Sequence, residues 1–139
     1  MKKTAALILA LFIVFSTFSP MSFAAIESNA YVASYGGSIS KPSSDSVKIN
    51  FHVFATHYMD SLGASTVTLY KDGSPVKIFS QYNPQYTANM VTTDYYYFYG
   101  SVTYTNATAG TYYAVVTVFA SDGTGSGSES FTTGTITIP

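Results

Sequence analysis

The chain has 139 residues, of which 9% are charged and 17% are aromatic, with a formal net charge of −1 and no cysteine. Disulfide bonds, thiol chemistry and lipid attachment at a cysteine are therefore excluded. There is no arginine, and the few lysines that follow Lys3 are scattered singly. A groove that tracks phosphates needs clustered basic residues, so binding to nucleic acid or to anionic lipid is not expected.

Residues 1–24 have the three-part layout of a secretory leader. Lys2 and Lys3 supply a positive start, residues 5–18 are mainly apolar, and residues 22–24 end in small side chains at the positions that a signal peptidase reads. The apolar run is shorter than the roughly 20 residues of a membrane span. We therefore expect residues 1–24 to be removed. Residues 25–139 would form one domain that is secreted, or loosely associated with the cell wall, without stable insertion in a membrane.

Alternating side chains predict the first two strands. We expect residues 31–35 to form a strand that ends at the two glycines that follow it. In residues 47–55, the odd positions are apolar and most even positions are polar. This alternation is typical of a strand with one buried face.

A hairpin is predicted next. Residues 66–71 and 76–81 have the composition of strands, and Asp72-Gly73 between them is a strong signal for a tight hairpin turn. The least regular stretch is residues 83–94, which we expect to form a loop.

The remaining chain predicts three further strands. Residues 95–105 and 111–120 alternate in the same way, residues 122–127 are a glycine-rich turn, and residues 128–138 close the domain. The alternation slips near Thr133, which indicates a β-bulge. About seven short strands separated by turn signals favour a single all-β sandwich or barrel.

Two segments resemble an immunoglobulin-like domain. Residues 67–76 are similar to its third strand and hairpin, with Leu69 in the position of the usual tryptophan. Residues 109–114 resemble its tyrosine-corner strand, with Tyr112 at the corner and Ala114 in place of the second cysteine. The resemblance implies an immunoglobulin-like two-sheet antiparallel β-sandwich of about seven strands that lacks the disulfide.

A second resemblance covers more of the chain. Residues 59–64, 100–104 and 109–120 are similar to segments of small secreted proteins of Gram-positive anaerobic bacteria. That resemblance implies a leader followed by one all-β domain, and it implies no particular activity.

The two histidines and one glycine-rich segment are the candidates for metal ligands. His52 and His57 are separated by an odd number of positions, so they lie on opposite faces of an extended strand and do not share a metal. Residues 122–129 contain oxygen ligands but not the regular acidic spacing of a calcium loop, which favours a plain turn. We expect no metal and no other cofactor.

The carboxylates do not form a catalytic pattern. Asp72 and Asp122 each precede a glycine, as turn-forming residues do. Of the other acidic residues, Asp45 and Asp60 lie between predicted strands, and Glu27 and Glu129 lie near the ends of the chain. No pair of carboxylates and no activated serine suggests a reaction, so the sequence predicts that the protein is not an enzyme.

Tyrosines are the most informative feature of the sequence. If the even positions of residues 95–105 point inward, the row of Tyr95, Tyr97 and Tyr99 points outward from one sheet face. The predicted inward set consists of Tyr96, Phe98, Val102 and Tyr104. Tyrosine rows of this kind stack on sugar rings or form the centre of a protein interface.

A second outward face is predicted on residues 111–120. Tyr113, Val115, Thr117 and Phe119 share one parity, and Tyr70 on the neighbouring strand extends the patch. An exposed apolar patch usually marks an interface. The alternative is that residues 83–94 cover these rings, or that the rings only raise strand propensity.

Two hypotheses of function follow. The first is a secreted, non-catalytic binding or adhesion-type module that recognises a protein or carbohydrate surface through Tyr95, Tyr97, Tyr99, Tyr70, Tyr113 and Phe119. The second is a structural, self-associating protein of the cell envelope, in which the patch on residues 113–119 pairs two copies as a homodimer.

Overall fold

A computed structural model describes residues 29–139, so the predicted leader lies outside the described residues. This part of the chain is all-β, with seven antiparallel strands in one curled sheet and one short helix. The strands are β1 (Val32–Ser43), β2 (Ser46–Lys71), β3 (Ser74–Ser80), β4 (Val91–Tyr104), β5 (Gly110–Asp122), β6 (Gly125–Thr132) and β7 (Ile136–Ile138), and helix α1 (Thr87–Met90) precedes β4. None of the helical residues in the described range forms a segment long and apolar enough to span a bilayer.

The long strand β2 organises the sheet. Its first half pairs with β1 on one edge and β4 on the other. Its second half pairs with β5 on one edge, and with β3 and the beginning of β4 on the other. The predicted strands at residues 47–55 and 66–71 are thus two parts of one strand. Asp60, expected between strands, lies within β2, because β4 pairs with both halves and keeps the connecting residues extended.

Strand β1 continues through the two glycines where we expected it to end. A side chain at Gly37 would collide with the carbonyl oxygen of Asn50, and its Cβ would lie 2.9 Å from the ring of Phe131. Glycine therefore allows β1 to lie against β2 and β6 at this point. The predicted strand end is wrong because these glycines serve close packing, not a turn.

The tight turns follow the predicted chemistry. Asp72 and Gly73 have φ of 48° and 83°, which confirms the hairpin between β2 and β3. The turn between β5 and β6 is shorter than predicted, because β6 already begins at Gly125. There, the Asp122 Oδ1 atom accepts hydrogen bonds from the backbone amides of Thr124 (2.8 Å) and Gly125 (3.0 Å).

The irregularity predicted near Thr133 is a break between β6 and β7, both of which pair with β5. The Thr133 amide donates to the Ala114 carbonyl (2.9 Å). In return, the Ala114 amide donates to the Thr133 hydroxyl (2.9 Å). The hydroxyl thus replaces a backbone acceptor where the last strand is interrupted.

The core draws on both halves of β2 and on β5. Its fully buried members include Val47, Ile49, Val53, Leu62, Val67, Leu69, Tyr112, Ala114, Val116 and Val118. Met90 of α1 and Phe79 of β3 are also fully buried, and the ring of Tyr86 meets Phe79 edge-on at 5.0 Å. The predicted loop at residues 83–94 therefore contains a helix that closes one end of the core, and then the first residues of β4.

Candidate binding surface

Seven aromatic side chains of β2 and β4 lie in contact on the outer face of the sheet. This aromatic ridge consists of His52, Phe54, Tyr58, Tyr95, Tyr96, Tyr97 and Tyr99. Register places His52 directly opposite Tyr99, and Phe54 directly opposite Tyr97. Side chains at such cross-strand positions point to the same face, and aromatic pairs there stabilise the sheet.

The rings of the aromatic ridge pack mainly edge to face. Tyr95 and Tyr97 have ring centroids 4.7 Å apart with an interplanar angle of 61°, and Tyr97 and Tyr99 are 6.0 Å apart at 72°. The ring of Phe54 is nearly perpendicular to that of Tyr99, at 87°. This is the preferred geometry of aromatic pairs. The predicted tyrosine row is therefore a continuous set of ring contacts, and Phe54 on the neighbouring strand packs beside it.

Much of the aromatic ridge faces solvent. Tyr99 is 64% exposed and Tyr58 is 63% exposed, while Tyr97 is half-buried between its neighbours. On the neighbouring strand β1, only Ser34 and Gly36 lie opposite Phe54 and His52. Because these residues are small, one flank of the aromatic ridge is open.

Tyr96 does not point into the core as predicted; it is 42% exposed and its ring contacts Tyr58, Tyr95 and Tyr97. The reason is local. Residues 55–58 of β2 lie opposite Tyr96 alone, so the two-residue alternation is lost at this point. The same irregular stretch exposes Tyr58, which the sequence reasoning missed. The loss of alternation after residue 55 was the available signal.

Tyr95 has an altered acidity. Its hydroxyl donates a hydrogen bond of 3.3 Å to the Tyr97 hydroxyl. Ionisation would remove that donor and place a negative charge beside other phenols, and together these effects raise the pKa of Tyr95 to about 12. Tyr95 therefore keeps its proton at physiological pH.

The other three predicted binding residues lie elsewhere. Tyr70 and Tyr113 are directly opposed on β2 and β5, and their rings stack at 4.9 Å and 3°. Phe119 lies further along β5, roughly 20 Å from Tyr113 at about 3.4 Å per residue. Thr117 lies between them and hydrogen-bonds Ser130 at 2.8 Å. The structure thus places the six predicted residues in three separate groups.

The two histidines have different surroundings. His52 belongs to the aromatic ridge, whereas His57 Nε2 lies 2.6 Å from Asp122 Oδ2. The other ring nitrogen of His57 is 2.9 Å from the Thr56 hydroxyl, which donates to the Ala30 carbonyl oxygen at 2.7 Å. These contacts connect the irregular stretch of β2 at residues 55–58 to the turn after β5.

Asp122 is held as a carboxylate by that turn. Its Oδ1 atom accepts from the Thr124 hydroxyl (2.7 Å) and from two backbone amides, while Oδ2 faces His57. The Thr124 hydroxyl, His57 and the amides hold the pKa of Asp122 well below its usual range. Both carboxylate oxygens bind protein groups, as expected for a turn-forming residue.

Within residues 29–139, no three histidine or acidic side chains are grouped so that they could hold a metal ion. Comparison with protein-family models found no match to the chain, and comparisons with curated proteins and with solved structures gave none. The resemblances to immunoglobulin-like domains and to small secreted proteins therefore stay predictions.

Proposed function

We propose that this protein is an exported, non-catalytic binding module that attaches to a protein or carbohydrate surface through the aromatic ridge. The observation that carries the proposal is the set of mutually packed, solvent-facing rings on β2 and β4, of which Tyr99 and Tyr58 are each more than half exposed. The leader-like residues 1–24 are the support for export.

Physical properties of the aromatic ridge suit recognition. Tyrosine offers a large contact area, a hydroxyl for specificity and few rotatable bonds to immobilise. The edge-to-face contacts hold each ring before a ligand arrives, which reduces the entropy lost on binding. None of the seven side chains carries a fixed charge, so the contact would rest on apolar area and hydroxyl hydrogen bonds, and would depend weakly on salt.

We propose further that the curled sheet is an immunoglobulin-like sandwich, in which β1, the first half of β2 and β4 face the remaining strands. Three observations support this arrangement. The Tyr112 hydroxyl donates to the Thr108 carbonyl at 2.7 Å, as in a tyrosine corner. Leu69 and Ala114 are fully buried. The rings of Tyr35 on β1 and Phe131 on β6 lie 6.1 Å apart.

The proposed function is tested by binding of the purified protein to a printed array of glycans, cell-wall fragments and extracellular proteins. The wild type is compared with a Tyr58→Ser, Tyr99→Ser double variant. These two rings are the most exposed of the aromatic ridge, so their removal leaves the core intact. Ile78→Ser on β3 is the matched control, because Ile78 is similarly exposed but lies outside the aromatic ridge.

Binding that is lost in the double variant and kept in Ile78→Ser would support the proposal. Two results would contradict it: no retention of the wild type on any spot, or equal retention of the wild type and the double variant.

Self-association is the second candidate function, and the outer face of β2, β3 and β5 favours it. Thr68 lies opposite Ile78 on β3 and opposite Val115 on β5, so the three form one row across the sheet. Ile78 is 61% exposed, and the stacked Tyr70 and Tyr113 extend the same face. Sedimentation equilibrium should show a dimer that Ile78→Lys dissociates; a monomer at high concentration would exclude this function.

A further inference from the structure

A groove lies on the outer face near the end of the β5–β6 hairpin and is lined by none of the residues of the aromatic ridge. Its volume is about 440 Å³, within the range of small-ligand sites. The floor consists of two rows across the sheet: Ser61, Ser121 and Ser126, then Phe119 and Ser128. Gln81 and Tyr82, in the turn after β3, form one wall.

The groove is bounded by paired strands and by a fixed turn. Gly63 lies directly opposite Phe119 on the adjacent strand, and the backbone of Met90 and Val91 occupies the space that a side chain at position 63 would need. The wall is fixed in place because the amide of Gln81 donates to the carbonyl of Ser65 at 3.0 Å. The groove is therefore a built feature of the register between β2 and β5 and of the turn that follows β3.

The polar side chains of the groove are free to bind a ligand. Beside the groove, the Thr117 hydroxyl is paired with that of Ser130 at 2.8 Å. The groove side chains, by contrast, make no hydrogen bond to any residue in 29–139. This set is Ser61, Gln81, Ser121, Ser126 and Ser128. Each serine hydroxyl can donate and accept, and the glutamine amide can do both.

Two aromatic rings accompany these hydroxyls. Phe119 is half-buried in the floor, and Tyr82 at the wall is 85% exposed, the largest exposure among the large apolar side chains of the described range. Tyr82 packs against no other ring of residues 29–139. An exposed, unstacked ring beside a cluster of free hydroxyls suits a ligand that has both an apolar face and many hydroxyls of its own.

Charge narrows the class of ligand. Among residues 29–139, no lysine, aspartate, glutamate or histidine lines the groove. Phosphate, carboxylate or ammonium groups would lose their hydration here without gaining an opposite charge. A purely apolar ligand would leave the five polar side chains of the groove without hydrogen-bond partners.

From these observations we propose that the groove binds a neutral pyranose oligosaccharide, with a sugar ring stacked on Tyr82 and its hydroxyls paired with the serines and Gln81. This goes beyond the proposed function, because it uses different residues and names the ligand class. The aromatic ridge could fail as a binding surface while the groove binds sugar, and the reverse also holds.

The test is a titration of the ¹⁵N-labelled protein with maltotriose, cellotriose and chitotriose, followed by backbone amide shifts, with trigalacturonate as the acidic counterpart. At least one neutral trisaccharide should shift the amides of Ser121, Gly127 and Ser128. Tyr82→Ala should weaken its binding by about tenfold, as expected for the loss of one stacked ring. Ile78→Ala, which removes most of an exposed apolar side chain that lines neither the groove nor the aromatic ridge, should leave the affinity unchanged.

Ser121→Ala provides a second variant that removes one hydroxyl at little cost in packing, and it should also weaken binding. The proposal is overturned if none of the neutral trisaccharides shifts these amides. It is also overturned if trigalacturonate binds more tightly than they do, or if the affinity is the same in Tyr82→Ala, Ser121→Ala and the wild type.

Discussion

The hydroxyl of Tyr112 donates a hydrogen bond of 2.7 Å to the carbonyl oxygen of Thr108, four positions earlier in the chain. Tyr112 is fully buried, so this bond satisfies a polar group inside the core. It also anchors the start of β5 to the connection that leads into it. Neighbouring contacts add to the anchor, since the Thr111 amide donates to Asp72 Oδ1 at 2.9 Å.

Tyr112→Phe should therefore destabilise the protein. It removes the hydrogen bond to the carbonyl oxygen of Thr108, which is an exposed residue, and the loss of one such bond costs about 0.5–1.5 kcal/mol. Urea unfolding followed by circular dichroism measures the free energy of unfolding. Tyr113→Phe is the control, because the Tyr113 hydroxyl makes no hydrogen bond to any residue in 29–139, and its effect should stay within about 0.5 kcal/mol. Equal effects of the two substitutions on the free energy of unfolding would show that the Tyr112 hydroxyl does not anchor the start of β5.

Gly37→Ala should destabilise the contact of β1 with β2 and β6. The added methyl group meets the Asn50 carbonyl oxygen and the Phe131 ring, so the strands must separate. Overpacking of this kind costs about 1–3 kcal/mol. Gly134→Ala is the matched control, because no atom lies within 4 Å of a Cβ at that position. Unfolding free energies that are equal for the two variants would show that the close approach is not needed.

Much of the fold could be predicted from particular residues. The alternation in residues 47–55 and 111–120 identified two buried strands, and Asp72-Gly73 identified the hairpin. Tyr112 is fully buried and its hydroxyl donates to Thr108, while its place in an immunoglobulin-type corner stays a prediction. These features are local, and side-chain alternation and turn chemistry report them directly.

Features that depend on pairing between distant strands were missed. The continuity of β2 was hidden because residues 55–58 lose the alternation, and only pairing with β4 shows that the strand continues. The row of Tyr95, Tyr97 and Tyr99 was predicted. The contacts that Phe54 and Tyr58 of β2 make with this row were missed, because they depend on the register between β2 and β4. The groove at Tyr82 arises from the register of β2 with β5, which no single segment of sequence reveals.

Tyr95 should resist ionisation in a spectrophotometric titration. Its pKa lies near 12, above the ordinary tyrosine value of 10.0. A raised pKa favours the folded, protonated form, so this contribution to stability is complete below the unfolded value and is lost as the pH rises through 12. Tyr97→Phe removes the acceptor and should lower the pKa of Tyr95 toward 10. An unchanged titration curve in this variant would contradict the assigned cause.

The contribution of Asp122 to stability should have the opposite pH dependence to that of Tyr95, because it should be lost as the pH falls. Its folded pKa is lowered, chiefly by the Thr124 hydroxyl and by His57. The contribution is therefore present above the ordinary aspartate pKa and is lost as the pH falls below it. Between about pH 5 and about pH 2, the free energy of unfolding should fall more steeply in the wild type than in Asp122→Asn.

The control for this acid titration is Asp60→Asn, because Asp60 makes no side-chain hydrogen bond to any residue in 29–139. It should keep the acid sensitivity of the wild type. The same steep loss of stability in Asp122→Asn would show that other carboxylates control the acid response.

The unbroken strand β2 carries both Phe54 of the aromatic ridge and Ser61 of the groove. Along the strand the two residues are no more than roughly 24 Å apart, at about 3.4 Å per residue. No hinge or linker lies between them, so the distance between the two surfaces is set by the sheet. A ligand that reaches both would meet the second surface at a high effective concentration once the first is bound. Avidity would then arise within one sheet, without a tandem repeat or a second copy of the chain.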